Sequence, residues 1–159
     1  MNDMLPQVDV SLRRKQAETM LALSRIHQRL LGVIRTTLER HGVSDLTPAR
    51  ANALLVLFQA RQPLHASQLA AQLAVSEVTV SRLVKRLVDD GWVERSPDPS
   101  DRRAMLLGTT ARAKTLFPQL VDVTNSVMDA LFAGLDDAEL EELVQWMGRI
   151  QHNLSDPPL

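Results

Sequence analysis

Between Ala66 and Lys85 apolar side chains fall at the spacing of two short helices joined by a tight turn. Leu69, Ala70 and Leu73 share one helical face, Val75 lies in the connection, and Val80 and Leu83 share the face of the next helix. Ala70 is small enough to let the second helix cross closely. The pattern predicts a helix-turn-helix, with Ala74 at the turn position where glycine is usual. With Val80, Leu83 and Leu87 inward, the helical wheel turns Val78, Ser81, Arg82, Lys85 and Asp89 outward, with Glu77 and Thr79 at the helix start. Arginine pairs bidentately with guanine, serine donates or accepts, and valine touches a thymine methyl, so this face suits base-edge readout. Ser76 and the free amides behind it offer a place for a phosphate. The plain alternative is a solvated helix face, and periodicity alone leaves both open.

No other constellation suggests chemistry. His27, His41, His65 and His152 show no ligand spacing, which argues against a metal site. Asp136, Asp137, Glu139, Glu141 and Glu142 are better explained by capping and a solvated face than by a catalytic carboxylate pair. Glycines at 32, 42, 91, 108, 134 and 148 are too scattered for a phosphate loop, a nucleophile elbow or a dinucleotide fingerprint. With no cysteine there is no disulfide, thiolate zinc site or thiol redox chemistry. These features predict neither an enzyme nor a bound cofactor. Aromatics are 3% of the chain with no tyrosine, which disfavours recognition by rows of stacking rings.

The elements that must hold the helix-turn-helix follow from periodicity and caps. Leu12, Met20, Leu23, Ile26, Leu30, Ile34 and Leu38 predict a long first helix over 11–41, ended by Gly42 and too long to be covered by one small domain. Thr47-Pro48 is an N-cap followed by proline at the first helical position, and starts a second helix that Pro63 stops. After Gly91 the period becomes extended in Trp92–Arg95 and again in Arg103–Leu107, predicting a hairpin with a polar tip. Thr109 or Thr110 starts a fifth helix reaching about Ala133, with Pro118 as a kink or interruption. Asp136-x-x-Glu139 reads as a capping box before a last helix whose apolar side is Leu140, Leu143, Val144, Met147 and Ile150.

The 159 residues suffice for one ordinary core. No apolar run approaches the ~20 residues of a membrane span, and the first ten residues do not resemble a secretory signal, so a cytoplasmic location is expected. Net charge is −1, but it is unevenly spread. Of 18 basic and 19 acidic residues, 1 and 8 lie in 119–159, so that end is −7 and the remainder +6. A basic body with an acidic end can bind nucleic acid locally without being basic overall.

Ser76-Glu77-Val78-Thr79-Val80-Ser81-Arg82-Leu83-Val84-Lys85-Arg86-Leu87, then Gly91-Trp92-Val93-Glu94-Arg95 and the tip Asp98-Pro99-Ser100-Asp101-Arg102-Arg103, resemble the recognition helix and wing of the MarR family of bacterial winged-helix transcriptional regulators. The similarity runs from about Leu12 to Leu154, and Asp101-x-Arg103 is its most specific element. The resemblance implies a mainly α fold with a small β-hairpin: a winged helix-turn-helix lobe over 47–107 and dimerisation helices over 11–41 and 111–154, within one domain spanning 1–159. It implies a homodimer on a pseudo-palindromic double-stranded operator, repressing nearby genes until a small aromatic or anionic effector releases it. DNA contacts would come from Ser76, Glu77, Val78, Thr79, Ser81, Arg82, Lys85 and Arg86, with Asp101, Arg102 and Arg103 in the wing. Arg25, His27, Arg29 and Arg50 belong to helices that, in this family, line an effector space between the dimer helices and the lobe. Val78, where the family often has a polar residue, and Thr109-Thr110 with Ala113 after the wing depart from the pattern. The rival function is a winged-helix module for protein contact alone, which would have no need of paired arginines at a polar tip; a narrow minor groove attracts them.

Overall fold

The computed structural model describes residues 9–101 and 103–155, and the chain divides into two compact units, one to Val127 and one from Met128. In the first unit, α1 spans Val10–Arg40, with Asp9 Oδ1 accepting the Leu12 N–H at 3.1 Å. Only Thr37 and Leu38 of its 31 residues are buried. It closes through Gly42 (φ +72°), where the Gly42 and Val43 amides donate to the carbonyls of Glu39 and Leu38. α2 spans Pro48–Gln59 behind the Thr47 cap, α3 Ala66–Leu73 and α4 Glu77–Asp89. The chain leaves α2 at Ala60, before Pro63.

The sheet has one strand more than the expected hairpin. β1 (Leu64–His65), β2 (Val93–Pro97) and β3 (Met105–Thr109) pair antiparallel in the order β1-β3-β2. Two residues are too few to show a period of two, so β1 leaves no mark in the sequence. Its place is set by pairing Leu64 with Leu107 and His65 with Leu106. The hairpin strands also sit further along than expected: Arg103 lies with Asp101 in the connecting turn, and the second strand starts at Met105 rather than Arg103.

Leu38, Leu54, Leu69, Val80, Val84, Leu87, Val93 and Leu120 are enclosed almost completely and join α1 to α5 through one core. Truncating one such leucine to alanine costs about 2–5 kcal/mol. α5 spans Ala111–Leu131 and passes through Pro118 without a break in the helix. Thr110 starts it: its Oγ1 accepts the Ala113 N–H at 3.2 Å and donates to the Gly91 carbonyl at 2.8 Å.

The second unit contains the last residues of α5, a turn through Gly134 (φ +84°), and α6 over Asp137–Ser155. The capping box is reciprocal, with Glu139 N–H on Asp136 Oδ1 at 2.9 Å and Asp136 N–H on Glu139 Oε2 at 3.0 Å. No residue of α6 is buried, and Val144, Trp146 and Leu154 are widely exposed. Among the described residues no helix is long and apolar enough to cross a membrane.

Candidate nucleic-acid interface

The helix-turn-helix closes as its apolar pattern requires, with Leu69, Ala70, Val80, Val84 and Leu87 buried and Leu83 half-buried. α3 ends in a Schellman turn: Val75 N–H donates to the Ala70 carbonyl at 3.1 Å and Ala74 N–H to that of Ala71 at 3.2 Å. Ala74 is left-handed at φ 52°, ψ 42°, the one non-glycine residue with positive φ among those described. Alanine thus holds the conformation that glycine would supply, against a Cβ clash.

Ser76 caps α4, its Oγ accepting the Thr79 N–H at 3.2 Å and lying 2.9 Å from Thr79 Oγ1. Glu77, Val78, Thr79, Ser81, Arg82, Lys85 and Arg86 are all exposed, so the structure brings every expected residue of this helix onto open surface. Val78 is 64% exposed, far more than packing would leave a valine. Lys85 Nζ bonds Asp89 Oδ2 at 2.8 Å, and this bond, with the nearby charges of Lys85, Arg86 and Arg95, holds the Asp89 carboxyl below the usual carboxylate range despite partial desolvation.

Beside this helix runs a groove of about 420 Å³ lined by Ser81, Arg82, Lys85, Val88, Asp89 and Arg95. Arg95, on β2, was not among the expected residues. Its register partner is Leu107, which is buried, so Arg95 leaves the sheet on the side that faces the core, near the end of α4. The signal was present in the period of two, since Val93 and Arg95 must share a face.

The wing tip is organised by its acids. Asp98 N–H donates to the Ala104 carbonyl at 3.0 Å, and Asp98 Oδ1 accepts from Ser100 N and Oγ at 2.7 and 2.6 Å. Asp101 Oδ1 accepts the Arg103 backbone N–H at 2.9 Å. Asp101 and Arg103 form no side-chain ion pair among the described residues; the aspartate shapes the turn through the main chain. The Arg103 side chain is exposed and in none of the ion pairs among the described residues. Arg102 lies outside the described residues.

The four residues placed in an effector space do not converge. Arg25, His27 and Arg29 are exposed on α1. Arg50 pairs with Asp90 Oδ2 at 3.0 Å and lines a separate cleft of about 290 Å³ with Asp45, Asp90, Trp92 and Arg112. There the Arg112 guanidinium lies 4.0 Å above the Trp92 ring and donates to the Asp90 carbonyl.

Two helices joined by a tight turn, framed by a three-stranded sheet with an exposed tip, make a winged helix-turn-helix fold. Residues 44–104, which hold α2, β1, α3, α4 and β2, match the sequence model of the MarR family. Solved structures extend the likeness in fold. A MarR mutant from E. coli complexed with operator DNA shares 22% identity at TM-score 0.75, over 86% of this chain and 95% of that one. BpsR from Bordetella bronchiseptica, whose DNA binding is regulated by 6-hydroxynicotinic acid, shares 25% at TM-score 0.71, over 86% and 92%. A MarR transcriptional regulator from Methanosarcina mazei shares 23% at TM-score 0.71, over 86% and 96%.

Proposed function

We propose that this protein is a sequence-specific transcriptional regulator that binds double-stranded operator DNA as a homodimer, with α4 in the major groove and the wing at the adjacent minor groove. The observation that carries this reading is the outward face of α4, where Val78, Ser81, Arg82, Lys85 and Arg86 are all exposed, with Arg95 beside them. Glu77 and Thr79 flank the helix start, and Ser76 with the first amides of α4 meets a phosphate. Asp101 holds the tip while Arg103 and Arg102 supply its charge. The operator complex of the E. coli MarR mutant supports the reading.

One functional domain serves both purposes: 47–107 reads DNA, and 11–41 with 111–154 forms the seam between protomers. The exposed apolar residues of α1 and α6, among them Met20, Leu21, Ile26, Val144 and Trp146, support that seam. It acts in the cytoplasm as a binding protein rather than an enzyme, repressing neighbouring genes until a small anionic or aromatic effector binds. Arg25, His27, Arg29 and Arg50 are candidates for that effector only if the partner protomer completes the space. The regulation of BpsR by 6-hydroxynicotinic acid supports an effector of this class.

Footprinting purified protein on DNA flanking its own gene tests the reading. A protected pseudo-palindrome, its half-sites about one helical turn apart, is expected. Equal affinity for all duplexes, or capture of a protein partner with no protection of DNA, would point to the protein-contact module instead.

A further inference from the structure

Among the described residues, a charged contact away from the outward face of α4 joins the wing to the helix-turn-helix. His65 is the residue before α3 and the second residue of β1, and its Nε2 lies 3.1 Å from Asp98 Oδ2 at the root of the wing tip. Asp98 is nearly enclosed, its side chain 12% exposed, whereas His65 is 34% exposed and open to protons from solvent. The other carboxylate oxygen of Asp98 takes both Ser100 donors, so one aspartate ties the tip to itself and to the start of α3.

Among the described residues, Asp98 is the ionisable group paired with His65. β1 packs on β3 and α3. α3 reads Ala-Ser-Gln-Leu-Ala-Ala-Gln-Leu and β3 Met-Leu-Leu-Gly-Thr, with no titratable side chain in either. Gln68 meets His65 through the backbone, its Oε1 accepting the His65 N–H at 2.8 Å. The start of α3 opposes a positive ring through its dipole, which is weak for so short and exposed a helix; Asp98 favours it through a direct bond. A neutral imidazole can donate to Asp98, but a charged one makes a bond roughly twice as strong.

We propose that the His65–Asp98 contact is a clip that positions the wing against the helix-turn-helix, and that it tightens when His65 takes up a proton, so that wing-dependent DNA binding strengthens as pH falls. His65 is a positioning residue in this scheme and touches no DNA. Histidine is the side-chain type whose charge changes between about pH 5 and 8. Asp98 stays ionised throughout, because the Ser100 bonds hold its carboxyl below the usual carboxylate range, with the His65 charge a smaller contributor.

The clip needs no DNA to be tested, although its consequence for binding rests on the function proposed above. Amide exchange of the free protein, corrected for intrinsic rates, reads the order of the tip at Ser100, Arg103 and Ala104, whose N–H groups are bonded within it. Protection of these amides should rise severalfold between about pH 8 and about pH 6 in the parent chain, and stay flat in His65→Gln and Asp98→Asn. Thermal melts of both variants establish that they fold, and Asp98→Asn keeps an acceptor for Ser100. Equal pH dependence in all three proteins would overturn the clip. Binding to the footprinted duplex is the second arm: affinity should follow the same pH profile and lose it in both variants. If Asp98→Asn keeps the profile, the charge of His65 acts on DNA at long range and the clip is wrong. If no duplex is bound at all, the DNA reading fails, while the exchange data still decide the clip.

Discussion

Arg50 and Asp90, forty positions apart, meet at 3.0 Å and fasten the start of α2 to the end of α4. The Asp90 carbonyl is in turn held by Arg112, so this residue ties α2, α4 and α5 together just before the chain enters β2. The arrangement gives Arg50 a structural task that its sequence position did not reveal. Arg50→Ala should lower stability by about 0.5–1.5 kcal/mol, the range for a partly exposed hydrogen-bonded pair. Denaturant unfolding checks it, and unchanged stability together with lost effector response would return Arg50 to the ligand-binding list.

Ala74→Gly should raise stability. The left-handed turn costs a non-glycine residue about 1–2 kcal/mol, and the greater freedom of glycine in the unfolded chain offsets about 0.5–1 of that. Gly42 and Gly91 already close α1 and α4 with the same pair of backbone bonds. A net gain of about 0.5–1 kcal/mol corresponds to a few degrees in Tm at most. A drop in Tm would mean that the Ala74 methyl makes contacts worth more than its strain.

Arg82→Ala separates base reading from general affinity. Loss of about 1–3 kcal/mol of discrimination per base contact is expected in competition between the operator and mutated duplexes at fixed salt. Equal weakening on every sequence would place Arg82 on a phosphate. Val78→Ser is the companion change, and an unaltered preference at every base pair would show that Val78 meets no thymine methyl.

The wing gives a different signature. Arg103→Ala removes an exposed side chain free of ion pairs among the described residues, so Tm should hardly move. Two wings per dimer should lower the salt dependence of binding by about two units of log-log slope. Asp101→Ala leaves the Arg103 amide without its acceptor, loosening the tip and weakening binding while the arginine remains. A lowered Tm with an unchanged salt slope in Arg103→Ala would make that arginine structural.

Assembly is checked by sedimentation. A 31-residue helix with two buried residues and a 19-residue helix with none leave large apolar areas in water, and a dimer at micromolar concentration is the expected state. A stable, folded monomer under those conditions would remove the basis for palindromic recognition.

The sequence determined the features that depend on neighbours in the chain. Helical period, the caps at Thr47, Ser76 and Asp136, the stops at Gly42 and Gly91, and the outward face of α4 all follow from spacings within a few turns, and each is where the residues put it. Tertiary structure decided what depends on residues meeting from far apart. β1 exists because Leu64 and His65 find β3, more than forty residues on. Arg50 is turned to Asp90 and His65 reaches the wing through contacts that no local period encodes, whereas for Arg95 the period of two gives its face of the strand and only the fold brings that face beside α4. The aspartates of the tip show the same division at short range. Asp98 and Asp101 mark a turn by their type, but whether a carboxylate takes a main-chain amide or a guanidinium is settled by where the folded strands leave each donor.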